Sequence, residues 1–171
     1  LYTTGANSLA RRSAQTALWQ ITQAMLRWVA PFLRFTAEEA WAVLGAEDKT
    51  PVATRTSIFM DGYVNLVAPD ESLLRKWARI REIRELVNKD IEVLRADGKV
   101  GASLQAEVTL DVAEDDYAIL ASLGADLKFV FITSAITLVA AKSISTRASA
   151  SNGYKCERCW HYVDELGTDA T

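Results

Sequence analysis

Seven apolar residues, Leu73, Trp77, Ile80, Ile83, Val87, Ile91 and Leu94, recur along this chain at intervals of three or four. That period places them on one stripe of a helix. Asp70 stands ahead of the run as an N-cap and Gly98 behind it as a stop, so the spacing predicts a single helix over 70–97, about seven turns long. Its polar face is basic on balance, with eight Lys or Arg against five acids between Arg75 and Lys99. Arg84 lies beside the stripe, four residues after Ile80, where it can form an ion pair or reach a ligand.

Beyond the helix the period changes. "QAEVTLDV" alternates polar and apolar residues, which predicts a half-buried strand with Ala106, Val108, Leu110 and Val112 facing inward. A helix over about 115–123 is expected next, stopped by Gly124. In "LKFVFITSAITLVA" we place a short helix first and then a strand near 136–140. Residues 98–141 thus read as a small β-α-β unit, and the Ser-rich stretch 142–154 reads as a linker.

Ahead of the long helix, Leu9, Ala17, Ile21, Ala24, Met25 and Trp28 keep helical spacing from the candidate caps Asn7 and Ser8 to Pro31. Thr36 and Glu39 form a candidate capping box for a second helix over 37–44, with Gly45 as its stop. Residues 46–69 carry Pro51, Gly62 and Pro69 and read as a loop with room for a brief strand. Trp19, Trp28, Trp41 and Trp77 fall among apolar neighbours at helical spacing, so they are expected in the core.

The 171 residues are 50% hydrophobic, enough for one domain or two small ones. No apolar run approaches a bilayer span and no leader opens the chain, so a cytoplasmic setting without membrane partners is the default expectation. The net charge of −3 argues for no polyanion by itself, but its distribution is uneven. Residues 1–37 hold Arg11, Arg12, Arg27 and Arg34 and no acid, whereas 107–126 hold six acids and no Lys or Arg. The basic strip is either a solvated helix face or a phosphate-binding surface.

Only two cysteines are present, Cys156 and Cys159, in "KCERCWHY". A Cys-x-x-Cys knuckle supplies half of a tetrahedral zinc site, and its rival is a thioredoxin-like dithiol, which needs a preceding strand and a helix N-terminus. The linker ahead offers no strand, which favours zinc. Lys155 and Arg158 can engage phosphates, while Trp160, His161 and Tyr162 offer flat faces for unpaired bases. His161 is the lone histidine, so Ser-His-Asp chemistry would rest on it alone; its place in a knuckle loop suits contact better than catalysis. A chain that opens on Leu and closes within a half-built metal motif is expected to be part of a longer protein.

Taken in order, "LYTTGANSLARRSAQTAL", "RWVAPFLRFTAEEAW", "IRELVNKDIEVLRADGKVGASLQAEVTL" and "KCERCWHYVDELG" resemble the C-terminal region of bacterial isoleucyl-tRNA synthetases. The first two stretches would equally suit valyl- or leucyl-tRNA synthetases; "VGASLQAEV" followed by "KCERCWHY" narrows the resemblance. It implies a mainly α architecture: an anticodon-binding helical bundle over 1–69 lacking its first helices, a connecting helix over 70–97, a small α/β subdomain over 98–141, a linker over 142–154 and a truncated zinc ribbon over 155–171. It implies a monomeric, cytoplasmic parent that ligates isoleucine to tRNA(Ile) using ATP and Mg in a catalytic domain outside these residues. Neither the His-Ile-Gly-His nor the Lys-Met-Ser-Lys-Ser type of nucleotide-binding motif of that family occurs here. The tRNA contacts expected on this basis are Arg11, Arg12, Arg84, Lys89, Lys155, Arg158, Trp160 and His161. The expected zinc ligands are Cys156 and Cys159, with a second cysteine pair to follow, and His161 matches a position that is not a ligand. The competing readings are a non-enzymatic helical adaptor whose knuckle docks a protein, and a dithiol oxidoreductase.

Overall fold

The computed structural model describes residues 4–47 and 57–165, and the chain divides into two compact units, 1–68 and 69–171. In the first unit, helix α1 (Leu9–Val29) starts at Ser8, whose Oγ accepts from the Arg11 amide at 3.3 Å, and ends at Ala30, one residue ahead of Pro31. Helix α2 (Arg34–Glu47) begins earlier and ends later than the caps predict. The turn through Pro31 is the reason: the amides of Phe32 and Leu33 donate to the Val29 carbonyl and that of Ala37 donates to Leu33, so the chain enters α2 already in helical register. Thr36 and Glu39 therefore lie inside the helix, and Gly45 does not stop it.

The two helices share a narrow seam of Ala30, Ala37 and Trp41, closed by Ile58 and flanked by Leu26 and Val29. Two helices can bury only one stripe each against the other. Trp41 is accordingly buried, but Trp19 and Trp28 remain 42% and 50% exposed, against the expectation that both are core. Of the 46–69 loop, residues 48–56 fall outside the described residues, and the remainder holds a 3-10 turn at Ile58–Met60.

The second unit is a helical layer on a three-stranded sheet. Helix α3 (Glu71–Ala96) begins where predicted: Asp70 Oδ1 accepts from the amides of Ser72 and Leu73 at 2.9 and 3.1 Å. It ends at Gly98, whose φ of +69° lies in the left-handed region that a glycine enters without a Cβ penalty. Strand β1 (Ala106–Val112) is central, between β2 (Ala135–Ala140), which runs parallel to it, and β3 (Ser145–Ala150), which runs antiparallel. The crossover from β1 to β2 carries helices α4 (Glu114–Ala121) and α5 (Leu127–Phe131).

Alternation along β1 decides which face is covered. Ala106, Val108, Leu110 and Val112 are buried with Ile80, Ile83, Val87 and Ile91 of α3, Leu120 of α4 and Leu127 and Phe131 near α5. Each such large side chain contributes about 1.5–3 kcal/mol by leaving water. The helix predicted to be a connector is thus also the main wall of this core. Two polar ties reinforce it: Arg79 grips Asp116 of α4 through Nε and Nη2, both at 2.7 Å, and Thr146 of β3 donates to Asp90.

The segment 142–154 is not a linker throughout, since β3 occupies its middle. Its side chains Thr146 and Ala148 face β1 positions Leu110 and Val108, but they are too small to signal a strand by periodicity. The backbone ladder to β1 supplies what the side chains do not.

Candidate functional site

The sheet ends beside a two-stranded hairpin, β4 (Tyr154–Lys155) and β5 (Tyr162–Val163), in which Tyr154 faces Val163 and Lys155 faces Tyr162. Gly153 makes its entry possible, because a Cβ there would stand 2.7 Å from the Val163 carbonyl oxygen. The turn between the strands carries both cysteines. Its backbone is closed twice: the Cys156 amide donates to the His161 carbonyl at 2.8 Å, and the Trp160 amide donates to the Cys156 carbonyl at 2.7 Å.

Cys156 has a thiol held below its ordinary value, chiefly by the backbone amide of Cys159 and then by that of Arg158, both of which favour the thiolate. Two half-exposed thiols on one turn, one with amide donors on its sulfur, suit a soft divalent ion such as zinc. Among the described residues no third His, Cys, Asp or Glu joins them to make a ligand set. His161 is placed elsewhere: it is 8% exposed, its ring meets Phe129 edge-on with centroids 5.1 Å apart, and its Nδ1 lies 3.1 Å from the Cys159 carbonyl. The expectation of an open stacking face on His161 is therefore corrected, because packing against the body occupies the ring.

Trp160 is the opposite case. It adopts φ +64° and leaves its side chain 60% exposed, with Lys155 Nζ 5.5 Å from the ring centroid. A left-handed conformation costs a non-glycine residue about 1–2 kcal/mol. The chain nevertheless places its largest aromatic there and turns it outward, and strain of this kind collects at binding sites. Lys155 and Arg158 are exposed on the same hairpin.

Behind Trp160, Tyr162 fastens the hairpin to the body. Its amide donates to Ser134 Oγ at 2.6 Å, and its hydroxyl accepts from Gln105 Nε2 at 2.8 Å. Ser134 in turn donates to the Leu104 carbonyl, and Gln105 Oε1 accepts from the amides of Gly101 and Ala102. Gly101, Ala102, Leu104, Gln105, Lys155, Trp160 and Tyr162 line an open cleft of about 290 Å³. Tyr162 is legible in sequence as an aromatic of the knuckle. Gln105 and Ser134 are not, since they lie 57 and 28 positions away from it.

The remaining basic candidates occupy separate environments. Arg12 and Lys89 are exposed; Arg11 is half-buried and donates to the Thr4 carbonyl at 3.3 Å. Arg84 is half-buried with its Nε enclosed and without a hydrogen-bond partner. Arg27 leaves the basic strip altogether. Its side chain, 9% exposed, meets Asp61 at 2.5 Å, Gln23 Oε1 at 2.5 Å and the Trp41 ring at 4.7 Å. Burial pulls its guanidinium below the ordinary value.

Comparison with known proteins converges on one family. A family model described as the anticodon-binding domain of tRNA ligase matches residues 1–110. Isoleucine–tRNA ligase of Ralstonia pickettii (strain 12J) is 51% identical over 176 residues, covering 99% of this chain and 18% of the relative. Those of Azoarcus sp. (strain BH72) and Bordetella petrii are each 50% identical with the same coverage. The chain thus spans 18% of the length of these curated relatives. Matched over more than half of its length by that family model, the chain belongs to the anticodon-binding domain family of tRNA ligases.

Proposed function

We propose that this chain is the tRNA-holding region of an isoleucine–tRNA ligase, gripping the anticodon stem-loop of tRNA(Ile) while the ligation occurs in other parts of a longer parent. Residues 1–69 serve as the anticodon-binding bundle, 70–97 and 98–141 as the helix and subdomain that carry the tip, and 155–171 as the first half of a zinc module. The observation that carries this reading is Trp160, held outward in a strained conformation beside Lys155. An exposed ring next to an ammonium suits an unpaired base attached to phosphates. Arg11, Arg12, Lys89, Lys155 and Arg158 supply phosphate contacts and Arg84 a partly enclosed one, while His161 acts as the packed support of the tip.

Cys156 and Cys159 hold zinc with two further ligands from outside the described residues, a structural role that fixes the knuckle. Isoleucine, ATP and Mg belong to the parent's catalytic region, and the parent acts as a cytoplasmic monomer. The helices here are no obstacle to that setting: none among the described residues is long and apolar enough to cross a membrane. Binding energy gained at the loop end of the tRNA helps to position its acceptor end for reaction.

The test is a titration of the full chain with the fluorescently labelled anticodon stem-loop of tRNA(Ile) across a salt series. Binding is expected to weaken linearly in log–log form, by roughly 0.7–0.9 per phosphate contacted. Equal affinity for a stem-loop of scrambled loop sequence, or indifference to salt, overturns the proposal.

A further inference from the structure

We propose that Asn152 and Gly153 form a self-modification site, where the Asn152 side chain loses ammonia and becomes an aspartyl or isoaspartyl residue, assisted by a proton relay through Ser151 to Glu107. The site stands independently of the RNA reading, because only the chain's own backbone chemistry is involved. An asparagine side-chain carbonyl is electrophilic, and the next backbone nitrogen can close on it as a succinimide ring, which is one reason asparagine is thermolabile. Glycine in that next position removes the Cβ that otherwise crowds the approach.

The fold singles out one of the chain's four asparagines. Asn88 lies inside α3 ahead of Lys89, and Asn65 precedes the bulky Leu66. Asn7 precedes Ser8, whose amide donates to the Gly5 carbonyl at 3.0 Å. Asn152 is exposed and alone precedes a glycine. Two aspartates also precede glycines, but an ionised carboxylate is a poor electrophile. Asp61 pairs with Arg27 and Asp97 with Lys99, and the Gly98 amide donates to the Arg95 carbonyl at 3.0 Å.

The Gly153 N–H leads to a base. It donates to Ser151 Oγ at 3.1 Å, and Ser151 Oγ donates to Glu107 Oε1 at 2.5 Å. Ser151 is itself fixed, since its amide donates to the Gln105 carbonyl at 2.7 Å. As the Gly153 nitrogen bonds to Asn152 Cγ, its proton passes to Ser151 Oγ and the hydroxyl proton passes to Glu107. The Asn152 Cγ–Nδ2 bond then breaks, and the nitrogen leaves as ammonia with the proton that the relay took up. Water opens the succinimide at either carbonyl. Attack at Cγ gives aspartate, and attack at the main-chain carbonyl carbon gives isoaspartate.

Isoaspartate routes the main chain through Cγ and lengthens it by one carbon, about 1.5 Å. The hairpin entry has no slack for this, because even a Cβ on Gly153 would stand 2.7 Å from the Val163 carbonyl oxygen, and Tyr154 pairs with Val163 directly after it. The modification therefore loosens the β4–β5 hairpin, with its two cysteines, and leaves α3 in place.

The experiment incubates the full chain at neutral pH and physiological temperature and follows each asparagine by peptide mapping. A purified isoaspartyl carboxyl methyltransferase with S-adenosylmethionine is the probe for isoaspartate. Acid is expected at position 152 ahead of positions 7, 65 and 88, with faster hydrogen exchange of the Tyr162 amide in the aged chain. Ser151→Ala and, independently, Glu107→Gln are expected to slow the conversion about a hundredfold, the low end for a positioned base. Ser151→Thr keeps a hydroxyl and is expected to keep the rate. The small Ser151 truncation keeps the test decisive if the Glu107 variant fails to fold. An unchanged or faster conversion in folded Ser151→Ala shows that the hydrogen bond only restrains Gly153, and overturns the relay. Asn152 found intact after another asparagine has converted overturns the site.

Discussion

The amide of Tyr162 donates to Ser134 Oγ at 2.6 Å, and Ser134 is 6% exposed. A single hydroxyl in the turn before β2 thereby anchors the hairpin that carries both cysteines. Ser134→Ala leaves the Tyr162 amide and the Leu104 carbonyl without this partner, which costs about 1–3 kcal/mol for groups shut off from water. Amide hydrogen exchange at Tyr162 should accelerate about tenfold or more in the variant, with the α3 amides unchanged. Uniform acceleration across the unit would show that the hairpin and the body open together.

Trp160 occupies a backbone conformation made for glycine. Trp160→Gly should therefore hold or raise stability in urea unfolding, by up to about 1 kcal/mol. RNA affinity should fall at the same time, by about 1–3 kcal/mol for a lost base stack. Opposite movement of the two quantities marks a residue kept for binding; a parallel loss of stability would assign Trp160 to the hairpin's own packing.

The Arg79 guanidinium, hydrogen-bonded to Asp116 through two nitrogens, holds that carboxyl below the usual carboxylate range. Folding thus favours the ionised form. Its stabilisation is complete above about pH 5 and is lost as the pH falls through the lowered folded-state value. Arg79 is 40% exposed, so solvent screening limits the pair to roughly 1 kcal/mol. Asp116→Asn should be less stable than the parent chain by that amount at pH 7, with the gap narrowing in urea titrations as the pH falls below the ordinary carboxylate range; a pH-independent gap sinks the assignment.

Arg27 and Asp61 form an ion pair whose side chains are 9% and 8% exposed. Removing one partner strands a buried charge, so Asp61→Ala should destabilise the first unit by about 3–5 kcal/mol. The double replacement Arg27→Met with Asp61→Leu should cost much less, since no charge is left behind. Thermal unfolding followed by tryptophan fluorescence separates the two outcomes, Trp41 lying against the Arg27 guanidinium.

Much of the second unit is legible from the chain. Asp70 and Gly98 mark the ends of α3 because an N-cap carboxylate and a left-handed glycine act within one turn of sequence. The alternation at 106–112 names its own buried face. The missed strand β3 and the underestimated length of α2 have related reasons: "STRASA" is stabilised by a backbone ladder to a strand far away in sequence, and α2 takes its start from hydrogen bonds to the end of α1. Trp19 and Trp28 fit an apolar period yet stay open, because periodicity names the face that could be buried and not whether anything in the unit covers it.

Local spacing along the chain dictates the helical stripe, the central strand and the identity of the knuckle, since each depends on residues within a few positions of one another. Tertiary structure alone decided that His161 turns inward to Phe129, that Arg27 turns inward to Asp61, and that Gln105 and Ser134 meet Tyr162. Those outcomes depend on how each unit packs, and only the packed arrangement within a unit determines which side chains from different elements share one volume.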